Sequence, residues 1–299
     1  MGDLLLSLPV ASAIRAALPA AEVTLLLREE LQPLLEDHPD LQRLLTWEPA
    51  ESGDVPCAFR LARRFRPFRF DAVLVLNPTK ALHLACFLAG IPVRIGYRRK
   101  WGFLLSRSIP DTKAERSLHE VEYNLELVRL LGIPATRREV LLPPKPALQR
   151  EAVDLLISSG VPSHERPIAI HPWTSNPAKG WPMERFLETA RNLRGQGRAV
   201  LWMGETDPAT PSPSAPPGVV DLCRRIPLKL LPEVLRRCSA LLSNDSGPAH
   251  VAAAVGTPVV VVAPREHALQ LERWKPLGPR HRTLLSPEVS EVLAAIPPS

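Results

Sequence analysis

Apolar positions recur at helical spacing through residues 4–18, which predicts a helix ending before Pro19, with Asp3 where an N-cap would sit. Short apolar runs at 22–27, 44–47, 71–76 and 93–97 predict strands, and the stretches 29–37, 81–89 and the basic segment before Asp71 predict helices between them. A longer amphipathic helix is expected over 119–131, stopped by Gly132. Beyond the stiff connector Pro143-Pro-Lys-Pro146 the alternation starts afresh, with helices at 148–158, 183–194 and 228–237 and strands at 167–171, 199–203 and 238–242. Strand and helix alternate in both halves. That is the pattern of a doubly wound α/β sheet, so two Rossmann-like domains are expected, 1–143 and 147–299.

The most informative stretch runs from Ser243 to Val262. Ser-Asn-Asp-Ser-Gly-Pro-Ala-His ends a buried strand and opens an alanine-rich helix, which Gly256-Thr-Pro258 stops. Small residues at a helix start let a phosphate approach unpaired N–H groups at the positive end of the helix dipole. This is a nucleotide-binding layout. The four valines that follow have no polar alternation and predict an inner strand buried on both faces.

Composition narrows the class. A chain of 299 residues, 45% hydrophobic, with no apolar run near the roughly 18 residues of a membrane helix and no basic leader before an apolar one, is expected to stay in the cytoplasm. Cys57, Cys86, Cys223 and Cys238 have neither metal-ligand nor disulfide-framework spacing. The net charge of +6 is modest but uneven: from Val55 to Pro110 eleven lysines and arginines face one acid, Asp71. Such a segment suits an anionic partner, or is a solvated basic face. No GxGxxG and no Walker lysine motif is present, which argues against a dinucleotide oxidoreductase and a P-loop ATPase.

Three loops follow strand ends, where an α/β sheet binds ligands. The first, His171-Pro-Trp-Thr-Ser-Asn-Pro-Ala-Lys179-Gly-Trp-Pro182, offers the hydroxyls of Thr174 and Ser175 and the cation of Lys179 between two tryptophans, a place for a phosphate beside a flat group. The second, Met203-Gly-Glu-Thr-Asp-Pro208, offers Glu205 or Asp207 to ribose hydroxyls. The third presents Asp245, Ser246 and Gly247 at the helix start, with His250 one turn in.

Together with Gly2-Asp3-Leu-Leu-Leu-Ser-Leu-Pro9, Arg94-Ile-Gly-Tyr97, His119-Glu-Val-Glu-Tyr-Asn, Lys179-Gly-Trp-Pro182 and Asn244-Asp-Ser-Gly-Pro-Ala-His250, these loops resemble glycosyltransferase family nine, the ADP-heptose:lipopolysaccharide heptosyltransferases. The matching pieces span nearly the whole chain in order. The resemblance implies a GT-B architecture: an acceptor-binding domain, a nucleotide-sugar domain and a cleft between them. It implies Asp3 as the catalytic base, Lys179 as a phosphate-binding lysine, Asp245, Ser246, Gly247 and His250 as diphosphate and ribose contacts, and Thr174 and Ser175 near the phosphates. The expected chemistry is an inverting, metal-independent transfer from ADP-heptose, a co-substrate rather than a cofactor, to a lipopolysaccharide core acceptor.

Lys80, Arg98 and Arg99, from the basic segment, are the candidate contacts for that anionic, lipid-linked acceptor at the inner face of the cytoplasmic membrane, so peripheral attachment there is expected; no nucleic acid is. Two other readings stay open: transfer of another nucleotide sugar to a different surface glycan, and an inert nucleotide-sugar binding protein. The proline loop Pro208 to Pro217 stands where the family has a helix. The chain also opens inside its first ligand loop, so the first strand of the N-terminal sheet is expected to be missing and the native protein to be longer, with a short apolar strand ahead of Met1.

Overall fold

The computed structural model describes residues 1–48, 54–115, 118–174, 180–204 and 213–298. In chain order the elements are α1 (Gly2–Leu5), α2 (Leu8–Ala17), β1 (Thr24–Leu27), α3 (Gln32–Leu35), β2 (Arg43–Thr46), α4 (Asp54–Phe65), β3 (Ala72–Val75), α5 (Lys80–Leu88), β4 (Val93–Tyr97), β5 (Arg107–Ile109) and α6 (Glu120–Arg129). Then follow α7 (Pro146–Ser158), β6 (Ile168–His171), α8 (Met183–Gly195), β7 (Val200–Trp202), β8 (Val220–Asp221), α9 (Leu231–Arg237), β9 (Ala240–Asn244), α10 (Gly247–Ala254), β10 (Val259–Ala263), α11 (Ala268–Trp274), β11 (Arg282–Leu285) and α12 (Val289–Ala295). The chain is α/β with parallel sheets, as its alternation predicts. It divides into a larger unit of 1–5, 33–38 and 139–299 and a smaller unit of 6–32 and 39–138.

The larger unit carries one sheet of six parallel strands in the order β11-β10-β9-β6-β7-β8. Strands β9 and β10 are buried along their whole length, because helices cover both faces and leave no position that has to be polar. Ile168, Ile170, Trp202, Leu242, Val260 and Val262 form the core with Phe186, Ala190 and Leu193 of α8 and Val292 of α12. The proline connector is tied down: Leu142 N–H donates to Ala254 O, Lys145 N–H to the buried Glu233 carboxylate, and the Arg236 guanidinium to Leu142 O while pairing with Glu233 at 3.1 Å.

In the smaller unit β3-β4-β5 form one parallel sheet and β1-β2 another. No ladder among the described residues joins the two. Helix α4 turns Cys57, Ala58, Leu61 and Phe65 toward Ala81, Ala85 and Cys86 of α5, a stripe set by its helical spacing. Thr79 caps α5 by accepting from Leu82 N–H at 3.0 Å, and Tyr97 at the end of β4 meets Tyr123 of α6 edge to face.

Three local expectations change. The helix expected over 4–18 is two, α1 and α2, because Pro9 lies in the first turn of α2 and starts a new helix there; Asp3 lies inside α1 rather than capping it. The segment 29–37 is a 3-10 turn (Glu29–Leu31) and the short α3, ended by Asp37 in the left-handed region at φ 59°. Helix α9 begins only at Leu231, with Pro232 in its first turn. All four cysteines are unpaired, and burial pushes the thiols of Cys86, Cys223 and Cys238 up to about 12. Thiols shifted this way stay protonated near neutral pH.

Candidate functional site

Within the larger unit, β6 and β9 are neighbours in register, His171 beside Ser243, and β7 lies on the other side of β6. The loops that follow these strands therefore leave the same edge of the sheet, its carboxyl end, where small ligands bind in such folds. Helix α10 starts there. Its N-cap, Ser246, is extended (φ −150°, ψ 164°), but the hydroxyl does not cap the helix; it pairs with Ser243 Oγ at 2.7 Å and lies 3.4 Å from His171 Nδ1. Burial lowers the His171 pKa to about 4, so the ring is neutral in the physiological range and Nδ1 can accept from either serine. His171 therefore adds no positive charge beside the helix start. What that start offers is its dipole and the unpaired N–H groups of its first turn.

Asn244, fully buried at the end of β9, is bonded to Pro172 and Trp181, on either side of the segment that contains Thr174, Ser175 and Lys179. Its Oδ1 accepts from Trp181 N–H at 2.8 Å and its Nδ2 donates to Pro172 O at 2.5 Å. One amide side chain thus holds both ends of the loop against the strand that leads into Asp245. Thr174 is half-buried beside this anchor, whereas Ser175 and Lys179 lie outside the described residues. At the end of β7, Trp173 packs on Trp202 at 5.7 Å between ring centroids, and a methyl group on Gly204 would stand 2.4 Å from the Trp173 ring. Glu205 and Asp207 lie outside the described residues.

Asp3 joins the same neighbourhood through α1, which packs on α10. A Cβ on Gly2 would stand 2.9 Å from the His250 ring, and one on Gly247 would stand 2.8 Å from Met1 Cβ, so glycine on each helix permits the close approach. His250 is buried by this packing. The Asp3 carboxylate is exposed and accepts from the Trp274 indole N–H at 3.1 Å, at the end of α11. The structure therefore brings Asp3, Ser246, Gly247 and His250 together in one unit, with Asp245 in the turn between β9 and α10.

Lys80, Arg98 and Arg99 form a second group, in the smaller unit. They follow the adjacent strands β3 and β4 and so share its carboxyl edge. The Lys80 ammonium lies 5.9 Å from the Trp101 ring centre, the Arg98 guanidinium approaches Ser108 Oγ at 3.4 Å, and Arg99 pairs with Asp111 at 3.3 Å. Asp111 offsets part of the charge of Arg99, which leaves Arg98 and Lys80 as the more available cations.

Four contributors carry no role in the sequence reading: His171, Asn244, Gly204 and Trp274. Asn244 and His171 stand inside quoted motifs, so their signal was position at a strand end. Trp274 had no signal, since its partner is 271 positions away. Among the described residues no group of three or more His, Cys, Asp or Glu is placed to hold a metal ion.

Comparison with known proteins bears on this geometry. The sequence profile described as glycosyltransferase family 9 (heptosyltransferase) matches residues 58–291. Lipopolysaccharide heptosyltransferase 2 of Escherichia coli K12 is 27% identical over 285 residues, covering 88% of this chain and 79% of that protein. Among solved structures, a family 9 glycosyl transferase from Veillonella parvula superposes with a TM-score of 0.81 at 20% identity, over 96% of this chain and 85% of that one. The E. coli ADP-heptose lps heptosyltransferase II superposes with a TM-score of 0.78 at 21% identity, over 98% and 94%.

Proposed function

The chain belongs to glycosyltransferase family 9 and is a glycosyltransferase, and from that premise we propose that it transfers heptose from ADP-heptose to a lipopolysaccharide core acceptor. The donor follows from the relative of the same fold described as an ADP-heptose enzyme, and the acceptor class from the lipopolysaccharide heptosyltransferases the sequence resembles. The observation that supports the reading is the packing of α1, the helix that carries Asp3, on α10, whose start suits a diphosphate.

In the proposed reaction Asp3 takes the proton of an acceptor hydroxyl, whose oxygen bonds to the anomeric carbon from the face opposite the diphosphate. The anomeric C–O bond breaks as that bond forms, its electron pair leaves with ADP, and the configuration inverts. The amino end of α10 and Lys179 stabilise the charge growing on the departing phosphate, so the step uses no metal. Glu205 binds the ribose. Lys80, Arg98 and Arg99 receive the anionic groups of a lipid-linked acceptor, and the enzyme works at the inner face of the cytoplasmic membrane; no helix among the described residues is long and apolar enough to cross one.

Two measurements test this. A binding screen of ADP, UDP and GDP is expected to select ADP, and tighter binding of UDP or GDP would move the assignment to another sugar donor. Asp3→Asn is expected to lower kcat by about 100-fold or more with little change in ADP affinity, the usual contribution of a general base. Full activity in that variant would remove Asp3 from the chemistry, and donor binding without any transfer by the parent would make the protein an inert binder.

A further inference from the structure

The smaller unit displays aromatic side chains that its core does not use. Phe103 is 78% exposed in the turn Gly102–Leu104, and Phe87 is 49% exposed on the last turn of α5. Hydrogen bonds make them parts of one patch. The Arg94 guanidinium lies 5.5 Å from the Phe87 ring centre and donates to Leu104 O at 2.7 Å, next to Phe103, while Arg66 donates to Leu88 O at 3.1 Å, next to Phe87. Two phenyl groups thus stand in a frame of guanidinium groups. Arg98, Lys100 and Arg107 flank the same turn in sequence, and Asp71 is the only acid from 55 to 110.

We propose that this Phe87–Phe103 face docks on a bilayer surface containing anionic lipid. The pairing of chemistry matches the layering of such a surface: phosphates outermost and acyl carbon just beneath. Arginines hold their charge at the phosphates while apolar stems and phenyl rings reach lower. Each basic group near an anionic leaflet adds attraction, and the absence of acids leaves it unopposed. A soluble acidic protein would satisfy the arginines and leave Phe103 without an apolar partner, which favours the bilayer. The proposal rests on the reading that the acceptor is lipid-linked, for then an enzyme held at the surface meets its acceptor by diffusion in two dimensions.

The test uses the full chain, without nucleotide or acceptor, sedimented with vesicles of phosphatidylglycerol and phosphatidylcholine or of phosphatidylcholine alone. Binding is expected to require phosphatidylglycerol and to fall with added salt. Phe103→Ser, at an exposed site that leaves the fold intact, should cut partitioning about tenfold, and Phe87→Ser should act in the same direction. Neither change should alter ADP affinity, because the donor residues lie in the other unit. Equal partitioning of parent and Phe103→Ser, or no binding of the parent to anionic vesicles, overturns the proposal. Transfer to a detergent-dispersed acceptor reports separately on the reaction: activity kept without vesicle binding defeats the docking face alone, and vesicle binding without any transfer defeats the catalytic reading alone.

Discussion

Replacing Asn244 with alanine removes two hydrogen bonds at once. Trp181 N–H loses its acceptor and Pro172 O its donor, at a position with no solvent access to replace them. An unsatisfied buried polar group costs about 1–3 kcal/mol, and partial relaxation of the loop brings the pair to about 2–4 kcal/mol. In a unit of this size each kcal/mol lowers Tm by roughly 2–4 °C, so a fall of about 10 °C is expected in a calorimetric or fluorescence melt. The functional consequence is separable from the loss of stability. Titration with ADP at low temperature, where the variant is folded, should show a Kd raised about tenfold, because the loop holding Thr174, Ser175 and Lys179 has lost both anchors.

Asn244→Asp gives a sharper signature. Its carboxylate can still accept from Trp181 N–H but faces the Pro172 carbonyl without a proton, so burial and repulsion should raise its pKa. Stability of this variant should then rise as pH falls through the raised pKa, when the protonated acid can donate to Pro172 O. Melting of Asn244→Ala together with the parent, with ADP affinity unchanged, would refute the anchoring role.

The remaining expectations concern neighbouring parts of the structure. Gly204→Ala places a methyl group 2.4 Å from the Trp173 ring at a φ of +156°, so loss of stability with weaker ADP binding is expected, and a neutral effect in melts would show that Trp173 can move aside. Trp274→Phe removes the indole donor to Asp3 and should lower kcat about tenfold with unchanged ADP affinity; an unchanged kcat would make the contact merely structural. Arg98→Glu with Arg99→Glu should raise the acceptor KM and weaken its salt dependence while donor binding stays constant, and untouched acceptor kinetics would return the cluster to a solvated face. Buried His171 stays neutral in the fold to about pH 4 while the unfolded chain takes up a proton near 6.5. Stability should therefore fall by about 3 kcal/mol as pH drops from 6.5 to 4, a loss that His171→Gln would abolish if the protein unfolds reversibly.

Much of the fold was legible because its signals are local. The valines at 259–262 read as an inner strand since no polar residue interrupts them, and β10 is buried at every position. The start of α10 was legible for the same reason: Gly247-Pro248 after a strand marks a helix start, and small residues there have few other uses. The break between α1 and α2 was not, because apolar spacing continues across it from Leu6 to Leu8, and an apolar stripe cannot say whether the backbone beneath it is one helix or two. What sets the break is Pro9, which suits a first turn as readily as it ends a helix.

The supports of the site were illegible for a different reason. Asn244 meets Trp181 and Pro172 across 63 and 72 positions, and Trp274 meets Asp3 across 271. A motif exposes residues presented to a ligand because they cluster in one loop, whereas the residues that hold the loop are chosen by what packs against it. Asn244 joins the two classes. It stands inside the motif and, by its hydrogen bonds, works as a fastener between β9 and the loop after β6, so its place beside Asp245 follows from where those strands end side by side. The same logic accounts for the glycines at the α1–α10 contact. Gly247 reads in the sequence as a residue small enough to admit a phosphate, yet in the fold Gly2 and Gly247 each permit the other helix to approach, and that approach fixes the helix that carries the exposed Asp3 against α10.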